Sequence, residues 1–419
     1  MNIAVIGAGG AGLACARLLR DDARVTLFER DPDLGGHARS LPIEVDGVTV
    51  HAETGFKYLM LPSHRRTMAW LALHGVPVRR FNSDASLTWE AEGATFVLPP
   101  RSLRHVARLL GNPRKLPYLV GLALFKHLTR KIVEEDRWEP TLAEFTHPLL
   151  PKDFASGFLQ PFFGASWGAS SSVIGGFPIC DVVRVLPKGV AVAYDVHGGT
   201  SAYVAAVTAA LTGVEVRTAC PVTALRPDGS GVQVTSAAGV ERFDRVVLAL
   251  PGQHAVALLD EWPEWRAVTG QVRTFPTHIV IHSDPAYMPA DPRDWCVVNQ
   301  FHRDGEAFLT EWCGWLERRP VFRTWLPEGR PMPANVHYAG QFDHLVVTPS
   351  SIAMQKRIAS LQGTGGLYAA GMYVTEVDIH ESALASALDV VAAIAPDSAG
   401  VRDYRAAIAG GRMPAIQAH

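Results

Sequence analysis

Residues 2–29, NIAVIGAGGAGLACARLLRDDARVTLFE, decide the fold. The apolar run Asn2 to Ile6 reads as a short strand and Gly7 to Gly12 as a glycine-rich turn. Leu13 to Leu19 reads as a helix that lays Ala14 and Ala16 against a sheet. Arg24 to Phe28 is a second strand, parallel to the first because a helix crosses between them. Gly7, Gly9 and Gly12 form GxGxxG, and the three glycines serve different ends. Gly7 allows a tight turn, Gly9 the close approach of backbone to a pyrophosphate, and Gly12 the close packing of helix on strand. The helix N-terminus offers free amides and a positive dipole end to phosphates. Glu29 closes the second strand, where a carboxylate accepts hydrogen bonds from adenosine ribose hydroxyls and disfavours a 2′-phosphate. The stretch predicts a dinucleotide-binding βαβ unit.

The rest of the composition sets bounds. With 419 residues, 48% of them hydrophobic, the chain can bury a large core and is expected to form two interleaved domains. A formal charge of -2 gives no reason to propose a nucleic-acid partner. The five scattered cysteines, with no CxxC pair, read as buried thiols of a reducing compartment. No signal peptide and no apolar run long enough to span a bilayer is read, so a cytoplasmic location is expected. From Ala94 to Val133 there is no acid, while Arg101, Arg104, Arg108, Arg114, Lys115, Lys126, Arg130 and Lys131 alternate with apolar residues. That pattern predicts basic amphipathic helices. Segment 101–131 then either contacts an anionic membrane surface or is a solvated helix face.

Further along, strands are expected at Val214 to Val222, Gly231 to Ser236, Arg245 to Leu250, His278 to His282 and Gly366 to Gly371. Asp284 to Asp294 is Pro-rich and reads as loop, and a helix is expected from about Glu381 to Ile394.

Residues 30–39, RDPDLGGHAR, follow Glu29 directly, and here the chain resembles the flavin amine oxidase and phytoene desaturase superfamily. Glu53-Thr-Gly55-Phe56, Pro221 to Thr223, Phe243 to Leu250, the strand ending at Gly371 and the helix opening at His380-Glu381-Ser382 match in order. Trp138 to Thr200 resembles a bacterial branch of predicted NAD/FAD-binding amine oxidoreductases. The resemblance implies an α/β fold: a Rossmann-like FAD-binding domain of the amine oxidase type with an inserted α+β substrate domain. It divides the chain into 1–80, 190–265 and 350–419 for the cofactor, and 81–189 with 266–349 for the substrate. It implies FAD, bound non-covalently, since the flavin-linking cysteine of some members has no counterpart beyond Cys313. The cofactor residues it implies are Gly7, Gly9, Gly12, Glu29, Arg30, Gly36, His37, Arg39, Val222, Gly371, His380 and Glu381. His37 stands where the family usually has arginine, which leaves the anion-binding role to Arg39. The C-terminal helix would point its N-terminus at the flavin pyrimidine ring.

Two departures bear on the chemistry. The lysine that amine-oxidising members place beside flavin N5 aligns with His278, and one of their aromatic pair aligns with Ile379. Their loss favours dehydrogenation of a small, largely apolar substrate by hydride transfer to N5, with His380 and His278 as candidate catalytic groups. The alternatives are an amine oxidase with an unusual cage, a redox-neutral double-bond isomerase, and a non-catalytic flavin-binding scaffold. A single GxGxxG after a strand argues against a separate nicotinamide domain. No metal is expected: His278 and His282, four apart on a strand, lie roughly 13 Å from each other. Ser170 to Ser172 lack a GxSxG elbow. Phe158, Phe162, Phe163 and Trp167 read as an aromatic helical stripe, either core or pocket wall. Oligomeric state and electron acceptor stay open.

Overall fold

The computed structural model describes residues 1–184, 191–375 and 379–417. Strands Asn2–Ile6 and Arg24–Phe28 stand where the sequence places them, and the helix between them, Gly10–Leu19, starts within the glycine run. They belong to a five-stranded sheet in the order Leu367–Ala369, Arg245–Leu248, Asn2–Ile6, Arg24–Phe28, Glu215–Arg217, every pair parallel. Parallel strands need covered faces. Helices Gly10–Leu19 and His380–Ile394 cover one face, meeting through small residues such as Ala14, Ala383 and Ala387. Trp262, Trp265, Ile358 and their neighbours cover the other.

The strand expected over Val214 to Val222 is two strands, Glu215–Arg217 and Val222–Asp228, in different sheets. Ala219, at φ +48, reverses the chain between them, and its amide and that of Cys220 bond Asp31 and Glu29 carbonyls. The second piece joins Gly231–Ser236 and Gly239–Phe243 in an antiparallel meander.

The other large sheet has seven strands in the order Val336–Leu345, Thr274–His282, Phe322–Leu326, Glu306–Trp312, Val298–Arg303, Ala85–Trp89, Ala94–Leu98. Strand alternation gives it two faces. Thr277, Ile279 and Ile281 share one with their cross-strand partners Trp325 and Arg323, and with Leu309 and Gln300 further across. Helix Gln160–Trp167 covers this inner face: Gln300 donates to the Phe162 carbonyl at 3.1 Å, and a Cβ on Gly168 would meet Thr277. The hairpin Ser40–Val45/Val48–Glu53 packs Ile43, Val50 and Ala52 on Ile281, Cys313 and Val321, tying the sheet to the nucleotide side. The expected domain boundary at 189/190 lies outside the described residues.

All five cysteines are buried and free. Among the described residues no helix is long and apolar enough to cross a membrane. The acid-free segment forms helices Leu103–Leu110, Leu116–Leu128 and Arg130–Glu134.

Candidate cofactor and substrate site

Building each glycine of the opening turn out to a Cβ separates their roles. On Gly12 that atom would lie 1.8 Å from the Gly7 carbonyl oxygen, and on Gly7, at φ +99, it would lie 2.5 Å from the Ala249 carbonyl oxygen. Helix and strands are simply too close for a side chain at either position. Gly9 differs: its Cβ would meet nothing within 4 Å, and its φ of -73° suits any residue. Gly9 caps the helix, a position glycine suits, and the open space above it leaves room for a group such as a diphosphate to approach the turn.

The neighbours converge on the same spot. Gly35 donates to the Ala8 carbonyl at 2.9 Å, and a Cβ on Gly36 would lie 3.2 Å from the Gly9 Cα. Gly55 packs so tightly on His37 that its Cβ would reach 2.0 Å from the His37 carbonyl oxygen. Glu29 is buried and accepts from the Ala8 amide at 2.7 Å and the Asp31 amide at 3.0 Å, leaving each oxygen a further lone pair. Val222 follows the backbone that bonds Glu29 and Asp31. Arg39 holds Asp31 at 4.0 Å and keeps a buried, unpartnered Nε, while Arg30 is exposed. Gly371, at φ +143 and two residues beyond strand Leu367–Ala369, donates to Ser386 of the C-terminal helix at 2.8 Å.

His380 opens that helix and lies on Gly10: a Gly10 Cβ would be 2.6 Å from its Cε1. Its ring stacks on Phe56 at 4.3 Å and meets Tyr203 edge-on at 5.3 Å, with Nε2 buried and unpartnered. Burial, helped by His64, pushes its pKa down to about 3. The ring is therefore a neutral group beside the phosphate turn, and a poor proton acceptor.

Glu381 faces elsewhere. Its carboxylate accepts from the Arg66 amide at 2.7 Å and from the Thr67 amide and hydroxyl at 2.8 Å, capping helix Arg65–Leu73. It joins the C-terminal helix to that helix. Glu381→Ala is expected to lower stability by roughly 1.5–3 kcal/mol, the range for hydrogen bonds to a charged group, which a urea titration will measure.

The structure does not bring His278 to His380. His278 is exposed on the outer face of the seven-stranded sheet, where it lines a cavity of about 400 Å³ with Arg330 and Met332. The inward residue beside it is Thr277, which is buried. The aromatic stripe splits: Phe163 joins the core, while Phe158 stacks with Trp89 and His302 at 5.9 and 5.4 Å.

Sequence reading missed a buried charged group at the joint between sheet and nucleotide side. Arg323 pairs with Glu311 and donates to the carbonyls of Glu53 and Gly55 at 2.9 and 2.7 Å. Lys57 is buried beside it with Nζ unpartnered. Burial opposes its charge, while the nearby Glu311 carboxylate, shared with Arg323, favours it. Glu53 accepts from Ser40 at 2.7 Å and from the Thr200 amide at 3.1 Å, fixing the hairpin to the start of helix Thr200–Ala209. Among the described residues no cluster of three or more His, Cys, Asp or Glu could hold a metal.

Among the described residues, Gln300, Trp325 and His302 on the inner face carry buried polar atoms without a hydrogen-bond partner. His302 lines a second cavity of about 280 Å³ with Trp89, Lys115 and Tyr118. Burial, and secondarily Lys115, lowers its pKa to about 4. The fold thus favours its neutral form. This contribution to stability is whole above about pH 6.5 and is lost as pH falls towards 4. His302→Phe keeps the stacked rings and removes the titration. The wild type should lose roughly 2–3 kcal/mol more than this variant between pH 7 and 4.5 in urea unfolding, and equal losses would contradict the assignment.

A glycine turn between a parallel strand and a helix N-terminus, in a covered parallel sheet, is the geometry of a dinucleotide-binding fold. The model of the flavin containing amine oxidoreductase family matches residues 11–278, and the chain belongs to that family. A carotenoid phi-ring synthase from Streptomyces griseus is 28% identical over 327 residues, 66% of this chain and 58% of that protein. In fold the chain is similar to cyclohexylamine oxidase from Brevibacterium oxydans IH-35A, with TM-score 0.66, 14% identity, and 98% and 99% of the two chains covered. It is also similar to a CLA-producing fatty acid isomerase from P. acnes, with TM-score 0.65, 14% identity, and 94% and 98% covered. At these identities the structures share the fold alone.

Proposed function

We propose that the protein holds FAD non-covalently and dehydrogenates a small, largely apolar substrate. The observation that carries the reading is the inner face of the sheet, where Thr277 and Ile279 stand beside Trp325 and Leu309 and no lysine lies on that strand. An amine-oxidising site of this family uses a lysine there. The division into cofactor segments 1–80, 190–265 and 350–419 around a substrate domain belongs to the same reading.

The turn at Gly9 and the amides opening helix Gly10–Leu19 would hold the diphosphate, Glu29 the ribose, and the chain at Val222 the adenine. The start of helix His380–Ile394 would face the pyrimidine edge, where its dipole favours negative charge. When bound, FAD supplies a hydride acceptor at N5. The chain's own part is to orient and desolvate. Leu309, Trp325 and Phe162 present apolar surface, and helix Gln160–Trp167 closes the inner face from water. Neutral His380 beside the phosphate turn would donate or accept one hydrogen bond without taking a proton.

Anaerobic mixing of the purified yellow protein with fatty acyl or isoprenoid compounds is expected to bleach the flavin; bleaching by amines alone would reject the reading. Acid precipitation should leave the colour in the supernatant, whereas a yellow pellet would mean a covalent link. Oxidation of an amine is the second reading, and Lys57 is the observation in its favour. Its buried ammonium follows directly on Gly55 and Phe56, which touch His37 and His380. Peroxide formation from amines, lost in Lys57→Met, would support it.

A further inference from the structure

Helix Leu116–Leu128 reads LPYLVGLALFKHL, and only Phe125 within it is buried. A helix apolar on all sides normally lies in a core or in lipid, yet this one lies on the surface. Val120, Leu124 and Leu128, spaced four apart, are 50%, 57% and 56% exposed. In the preceding helix Leu103, Val106 and Leu110 repeat the pattern at 88%, 39% and 67%. Thirteen residues span about 20 Å, short of the ~30 Å hydrocarbon core, so the helix can lie along a bilayer and cannot cross it.

The charges suit anionic headgroups, though not through the cations the sequence suggests. Arg101, Arg104 and Arg108 pair inward with Asp84, Asp291 and Asp294, and Lys115 pairs with Glu92. Arg114 and Lys131 remain exposed, one beyond each end of the apolar helix. No acid lies between them, and the first ones after, Glu134 to Asp136, each face an arginine.

We propose that helices Leu103–Leu110 and Leu116–Leu128 form a docking surface that inserts its leucines into an anionic lipid bilayer. Lys115 and Tyr118, at the start of the second helix, line the cavity that contains His302. A lipid-dissolved compound would thus meet an opening beside the docked face. This surface follows from exposure and charge and does not depend on which reaction the flavin performs.

The test is flotation of the full-chain, flavin-loaded protein with vesicles of phosphatidylcholine alone or with phosphatidylglycerol added. The wild type should float with the mixed vesicles and far less with the neutral ones. The triple variant Val120→Glu, Leu124→Glu, Leu128→Glu should cut the bound fraction at least tenfold with unchanged flavin content and melting temperature. Should that variant misfold, Leu103→Glu with Leu110→Glu on the neighbouring helix makes the same demand. Four results would overturn the proposal: no flotation of the wild type, equal binding to both vesicle types, flotation of folded glutamate variants, or a lipid-free wild-type dimer that these variants convert to monomer.

Discussion

Gly9→Val is expected to give a protein that folds normally and purifies colourless. Its backbone, at φ -73°, accepts a branched side chain without strain, and the space around its Cβ is open for 4 Å, so the loss of stability should stay within the roughly 1 kcal/mol of exchanging a favoured N-cap residue. The same side chain would occupy the position a diphosphate needs, and affinity for FAD should fall at least about 100-fold, roughly 2.7 kcal/mol. Gly12→Ala should behave in the opposite sense. Its methyl group would lie 1.8 Å from a backbone oxygen, which no rotamer change relieves, so the helix must move off the sheet and stability as well as cofactor is lost. Equal damage to fold and cofactor in both variants would mean that Gly9 has a structural role invisible in its surroundings.

The second large effect is expected at Arg323. Both members of the Arg323–Glu311 pair are buried, and the guanidinium also satisfies the Glu53 and Gly55 carbonyls. Arg323→Met leaves Glu311 uncompensated in a low-dielectric setting and two carbonyls without a donor, a loss of about 3–5 kcal/mol. The double change Arg323→Met with Glu311→Leu should recover part of it, because no buried charge is then left alone. Since the pair ties the seven-stranded sheet to the segment beside His37, flavin retention should fall with stability in the single variant. Urea unfolding and the flavin-to-protein ratio will show both, and a loss below about 1 kcal/mol would contradict the burial of the pair.

The cradle was legible because its parts are consecutive: strand, glycines, helix, strand and Glu29 all lie within residues 2–29, and local spacing alone specifies the turn. Less of the substrate side was legible. A strand changes face at every residue, and only the fold shows that His278 turns outward while Thr277 beside it is buried on the inner face. The charged joint was hidden by distance along the chain, since Arg323 meets Glu53 and Gly55 across some 270 residues and no periodicity announces it. Glu381 stands at a helix start, and nothing local announces that its side chain is held by Arg66 and Thr67, 315 and 314 residues away. The basic segment shows the same limit: the sequence displayed its cations, and only the fold showed that five of the eight pair with aspartates or glutamates while the leucines face outward.

Titration of flavin-stripped protein with FAD, and separately with riboflavin, tests most directly whether the opening turn grips a diphosphate. Tight binding of FAD, displaced by ADP, beside binding of riboflavin weaker by a factor of about 100 or more is the expected result, because Gly9 and Glu29 act on the part that riboflavin lacks. Riboflavin bound as tightly as FAD, with ADP unable to compete, would contradict the account.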